Sequence, residues 1–187
     1  MKLTKEGFNI LRTELFKTLD QRQVDQLNYI VRKSEEHGLT YPETAYTLAT
    51  IYHETGLVRD GVVYRSMYPV KEQGSDKYLR SKAYWPYIGY GYVQLTWKSN
   101  YERVGKLIGV DLIATPEAAL LPQVAIVIAL KGMLNGWFTG VGFRRKRPVN
   151  KYDRASYVRA RAIINGTDKA GQIADYAMIF EKALRSL

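Results

Sequence analysis

The chain has 187 residues, enough to bury a sizeable core as one domain, or as one large lobe with a smaller insert. It contains no cysteine, which excludes disulfides, thiolate catalysis and cysteine-ligated zinc. A net charge of +10 and a pI near 9.6 predict an anionic partner, whether nucleic acid, a lipid or lipopolysaccharide surface, or an acidic polymer.

The opening MKLTKEGFNI is charged and lacks a continuous apolar run, so no signal peptide is expected. Residues 5–18 place Phe8, Leu11 and Leu15 on one helical face. Asp20, with Gln23 three residues later, predicts a capped helix to about Glu36 that buries Val24, Leu27 and Val31; Gly38 ends it. Thr40 and Glu43 repeat the capping-box pattern for a helix over 40–55, with Ala45, Leu48, Ala49 and Tyr52 inward and Gly56 as its stop. From Gly56 to about Lys82 the helical period fails, which predicts a long functional excursion such as a cleft wall or lid.

Residues 83–96 are rich in aromatics and β-formers, and Ile88-Gly89 suggests the turn of a small hairpin. Thr96 then fits the N-cap of a helix from Trp97 to Ile108. Pro116 starts a short helix and Pro122 a longer one to Asn135, apolar nearly all round and therefore expected in the core. That run is too short, and too interrupted by Lys131 and Gly132, to span a bilayer. A basic loop, a helix near Tyr157 to Ile164 and a last helix complete the chain, the last with Ile173, Ala177, Phe180, Leu184 and Leu187 on one stripe. The result is a mainly α chain with a small β insert and no internal repeat.

Chemistry narrows by elimination. Two histidines, His37 and His53, without ligand spacing make a metal site unexpected. Gly89-Tyr90-Gly91 lacks the phosphate-loop pattern, and no nucleophile elbow is present. Paired carboxylates remain. Glu54 falls in the last turn of its helix, where the negative end of the dipole and an apolar face disfavour ionisation, suiting a proton donor. Glu72, in the hydrated excursion, should stay ionised; Asp60 and Asp76 are rivals for that second role. Glu43 is explained by its capping position, and His53 reads as a packed neighbour.

Four stretches in this order carry a resemblance: His53-Glu54-Thr55, Met67-Tyr68-Pro69-Val70-Lys71-Glu72, Gly89-Tyr90-Gly91-Tyr92-Val93-Gln94-Leu95-Thr96-Trp97 with Asn100-Tyr101, and Arg161-Ala162-Ile163-Ile164-Asn165-Gly166. Together they resemble the family 19 glycoside hydrolases, nearest to the phage endolysins that cut peptidoglycan, a branch of the lysozyme-like superfamily that also holds plant chitinases. The resemblance implies a lysozyme-like fold with a small β-hairpin lobe beside a catalytic cleft. It implies Glu54 as general acid, Glu72 as the base that activates water, Thr96 as a hydroxyl holding that water, and Gln94, Asn100 and Asn165 as groove-lining residues. Tyr92 is expected among the residues that meet the sugar. The resemblance further implies inversion without a covalent intermediate, with carboxyl groups about 6.5–9.5 Å apart. The chain departs from the family pattern at Tyr90, where an arginine is usual, at Thr167, where a second glycine is usual, and at Ala174, where an arginine is usual.

The chain is thus expected to be one catalytic domain, with 56–96 as the small lobe and 140–187 as a basic helical region. Arg144, Arg145, Lys146 and Arg147, with Lys151, Arg154, Arg159 and Arg161, face a single acid, Asp153, and are expected to hold anionic wall polymer or lipopolysaccharide. The expected function is hydrolysis of peptidoglycan by a monomer without cofactor or nucleic acid, stored in the host cytoplasm until a holin-type lesion opens the way. A chitinase on the same fold and a non-enzymatic cationic binder are the alternatives.

Overall fold

The computed structural model describes residues 1–145 and 153–187, which fall into two compact units: Met1–His53 with Leu130–Leu187, and Glu54–Ala129. Residues 56–96 lie within the second unit. Among the described residues, no helix is long and apolar enough to cross a membrane.

The first unit is helical. Helix α1 (Lys5–Leu11) is capped by Thr4, whose hydroxyl accepts from the Gly7 amide at 3.1 Å, and runs into a π-helical turn at Arg12–Phe16. Helix α2 (Gln21–Glu36) opens with the expected capping box: Asp20 accepts from the Gln23 amide at 2.8 Å, and Gln23 returns the bond at 2.9 Å. Helix α3 (Tyr41–Glu54) is buried at every position from 42 to 52, which makes it a core helix. Its threonines are tolerated in part because Thr47 donates back to the Glu43 carbonyl at 2.8 Å.

The Glu43 carboxylate accepts from the Thr40 amide at 2.8 Å and from the Thr40 hydroxyl at 2.9 Å. It also forms an ion pair with Arg144, which reaches the Gly38 carbonyl at 3.0 Å as well. Capping alone therefore does not account for Glu43. Helices α7 (Arg154–Ala160) and α8 (Ala170–Arg185) complete this unit. Glycine at position 7 allows α1 and α8 to touch, since a Cβ there would lie 2.6 Å from the Ala183 carbonyl oxygen. On α8, Ile173, Ala177, Phe180 and Leu184 are buried as the stripe predicts, whereas Leu187 lies beyond the helix and is fully exposed.

The second unit holds the β structure, but not where the aromatic run suggested. The hairpin is β1 (Gly56–Arg59) with β2 (Val62–Arg65), antiparallel, joined by Asp60-Gly61. Both turn residues have positive φ, 50° and 75°, as a tight primed turn requires, and Asp-Gly supplies it at low cost. Residues 83–96 form turns instead. Their only strand is β4 (Tyr90–Gly91), which pairs with β3 (Val70–Lys71), and Leu95 folds back to bridge Tyr90. The dense aromatics mark turns here and not a strand: Tyr90 and Tyr92 are buried, and Tyr84, Trp85 and Tyr87 are half-buried.

Helix α4 (Asp76–Arg80), helix α5 (Lys98–Ile108), a 3-10 turn at Pro116–Leu120 and the start of helix α6 (Pro122–Asn135) fill out this unit. Helix α5 is not capped by Thr96. Its N-cap is Trp97, at φ 76°, with no side-chain bond.

Candidate functional site

Glu54 is the last residue of α3 and the first of the second unit, half-buried, with half-buried His53 before it. The chain just past Glu54 is pinned. Fully buried Thr55 receives the Met67 amide on its hydroxyl oxygen at 3.2 Å. Its carbonyl accepts from the Ser66 amide at 3.2 Å and the Ser66 hydroxyl at 3.1 Å. These bonds close the base of the β1–β2 hairpin directly behind Glu54. They also fix Met67, itself buried at a positive φ of 57°, where the chain turns toward β3.

Strand β3 leads into Glu72. Its carboxylate is held at both oxygens: the Tyr84 hydroxyl donates to Oε1 at 2.9 Å, and the Gly89 amide donates to Oε2 at 3.0 Å. The Glu72 amide in turn donates to the Gly89 carbonyl at 2.7 Å. Tyr84 is pushed above the ordinary tyrosine range, first by partial burial and then by its bond to Glu72. Lys82 lies with Nζ 3.9 Å from the Tyr78 ring centroid, and its pKa is raised, first by Tyr78 and with smaller contributions from Tyr84 and Glu72.

The other residues expected at the site fare differently. Gln94, at φ 54°, spends its amide N–H groups on the Val70 carbonyl (2.9 Å) and the Gly91 carbonyl (3.2 Å), so it braces β3 against the turn after β4. Its Oε1 lies across Gly89, where a Cβ would come within 2.6 Å. Thr96 is half-buried and donates to the Gln94 carbonyl at 2.8 Å, so its oxygen lone pairs remain as acceptors. Asn100 donates to the Thr96 carbonyl at 2.9 Å and accepts from Arg103 at 3.3 Å. Tyr92 is fully buried and belongs to the core, which corrects its expected place against the sugar: the turn from Gly91 to Gln94 rolls it inward. Asn165 is exposed and lies in the first unit.

Tyr90, in the position where the resemblance led one to look for an arginine, is buried. Its hydroxyl reaches Glu117 at 3.5 Å, and its pKa is raised by burial and then by that carboxylate. Two of the expected surface cations are also corrected. Arg144 is committed to Glu43, and Arg161 is almost fully buried, with Nε donating to the Asp168 carbonyl at 2.8 Å. Arg154 pairs with Asp175, and Arg145 is exposed. Lys146, Arg147 and Lys151 lie outside the described residues.

Sequence reasoning missed three contributors: Thr55 and Ser66, which set the chain behind Glu54, and Tyr84, which holds Glu72. The only available signal for the first two was the Asp60-Gly61 dipeptide, because a hairpin there brings 55 and 66 together. Among the described residues, no group of three or more His, Cys, Asp or Glu side chains could hold a metal ion.

Residues 38–149 match the chitinase class I family, glycoside hydrolase family 19. The chain belongs to that family. The matched stretch contains Glu54, Glu72, Gln94, Thr96 and Asn100, and ends before Asn165. The chain is similar to Chitinase 8 of Oryza sativa subsp. japonica, with 30% identity over 95 residues, 50% of this chain and 33% of that protein. It is also similar to the basic endochitinase of Vitis vinifera, with 34% identity over 108 residues, 52% of this chain and 33% of that protein. The match thus spans about a third of the length of these relatives. A bacterial family 19 chitinase of known structure shares the fold at TM-score 0.57 and 20% identity, covering 99% of this chain and 96% of its own. A variant of chitinase C does so at TM-score 0.58 and 20% identity, covering 99% and 93%. The fold is the mainly helical, lysozyme-like fold of family 19.

Proposed function

We propose that the chain hydrolyses β-1,4-glycosidic bonds of an amino-sugar glycan by single displacement, with Glu54 as the acid and Glu72 as the base. The observation that carries this is the setting of Glu72. One neutral hydroxyl and one backbone amide, each on its own oxygen, hold the carboxylate oriented while leaving lone pairs for a water proton. Glu54 has the complementary setting, at the carbonyl end of a fourteen-residue helix that disfavours a second negative charge. Thr96, whose proton is given to the Gln94 carbonyl, offers an acceptor for the same water.

The substrate we propose is the glycan strand of bacterial peptidoglycan, in the manner of a phage endolysin released to the wall from the host cytoplasm. Support comes from the net charge of +10, which suits an anionic wall and gives no advantage on a neutral polymer. Chitin is the second reading, favoured by the names of the relatives. Turbidity clearing of purified sacculi, measured beside release of oligomers from colloidal chitin, separates the two. Clearing of sacculi that falls at least about 10²-fold in Glu54→Gln supports the proposal. Undiminished clearing by that variant overturns the mechanism, and activity on chitin alone overturns the substrate.

A further inference from the structure

The acid and base leave one feature without a role. Trp97 holds φ 76° and ψ 135°, a backbone conformation that a bulky L-residue adopts only under strain. Burial does not account for it, because the residue is 51% exposed. The strained backbone does two visible things. The Trp97 amide donates to the Tyr87 carbonyl at 2.9 Å, and the indole stands edge-on to the ring of Tyr84, centroids 5.2 Å apart at 64°. Tyr84 is the residue whose hydroxyl holds Oε1 of Glu72. An exposed indole, set by strain against the ring that orients a carboxylate, is placed for a ligand and not for the core.

We propose that Trp97 and Tyr84 form a ledge on which a pyranose ring of the amino-sugar glycan stacks beside Glu72, Tyr84 being a positioning residue for that carboxylate. The chemistry fits both sides. A pyranose presents an apolar C–H face to an aromatic plane and keeps its equatorial hydroxyls in water, which is what a half-exposed indole accommodates. Gly89, the second donor to Glu72, lies in the same segment, so a sugar seated on the ledge meets a carboxylate already fixed at both oxygens. The proposal rests on the reading of Glu72 as the base.

The ledge is tested by binding, apart from turnover. In a Glu54→Gln background, calorimetric titration with N-acetylglucosamine oligomers and with soluble glycan strands should show Trp97→Ala weakening affinity about tenfold and Trp97→Phe much less. Trp97→Gly should lose affinity as Trp97→Ala does while its Tm is unchanged or raised, since glycine adopts the positive φ freely. Affinity loss without stability loss excludes a merely structural indole. Parent-like binding by Trp97→Gly overturns the ledge, and so does Trp97-dependent binding to anionic vesicles without any response to saccharide. Tyr84→Phe, in the otherwise intact chain, keeps the ring and should lower kcat at constant KM. An unchanged kcat overturns the positioning role. If the intact chain cleaves neither sacculi nor chitin, the hydrolytic reading falls, and the titrations still decide the ledge.

Discussion

Thr55 Oγ1 accepts the Met67 amide at 3.2 Å and, together with the bonds from Ser66 to the Thr55 carbonyl, ties the end of α3 to the segment that delivers Glu72. Both partners are fully buried, so neither has water as a substitute. The two candidate carboxylates thus sit on chain segments that share a fixed point just behind each.

Thr55→Val tests that tie. The shape is kept, the acceptor is lost, and a buried amide is left unsatisfied at a cost of about 1–3 kcal/mol. Urea unfolding should show the loss. Hydrolysis should fall further than the stability change accounts for, and a variant that loses stability but keeps full kcat would show that the tie is structural only.

Gly61→Ala examines the hairpin turn by itself. Nothing lies within 4 Å of the added Cβ, so sterics with neighbours play no part, but φ is 75°. The expected destabilisation is about 1 kcal/mol. Asp60→Asn should be nearly neutral, because asparagine tolerates the same left-handed region. Thermal unfolding of the two variants side by side checks both.

Arg144 should behave as a structural residue. Glu43→Gln replaces a carboxylate that is 5% exposed, leaves the Arg144 guanidinium without its charge partner and should cost about 1.5–3 kcal/mol, moderated because Arg144 itself is 39% exposed. Arg144→Gln should likewise lower Tm. Its retention on anionic vesicles should fall no more than that of a variant lacking one exposed cation such as Arg145. A much larger loss would restore Arg144 as a surface-binding residue.

Alkaline stability has a definite sign. Tyr101 is buried and donates to the Ile88 carbonyl at 2.7 Å, and burial raises its pKa well above the ordinary value. A raised folded-state value means that its contribution is complete below about pH 10, where unfolded tyrosine begins to ionise, and is lost as pH rises further. Urea midpoints measured from pH 8 upward should therefore decline above about pH 10. Tyr101→Phe should be less stable at neutral pH and show a flatter decline.

Much of the helical frame was legible in order. Capping chemistry is local, and Asp20 with Gln23 acts within four residues, so α2 needs nothing distant to begin where it does. Pro122 opens α6 for the same kind of reason: its fixed φ suits a first helical turn. Glu54 and Glu72 were legible as types at spacings, because an acid at a helix end and an acid in a polar excursion differ already in sequence.

What the sequence decided by itself, then, is what depends on near neighbours: helix starts, and the absence of thiol chemistry in a chain without cysteine. The tertiary structure decided everything that depends on which distant group arrives. It turned Arg144 from a candidate surface cation into the partner of a carboxylate 101 residues away, and it sent Tyr92 into the core. It also brought the Tyr84 hydroxyl, twelve residues along the chain, onto Glu72. Side chains of one type are chemically equal in sequence, and only the burial and hydrogen-bond partners supplied by packing make them different.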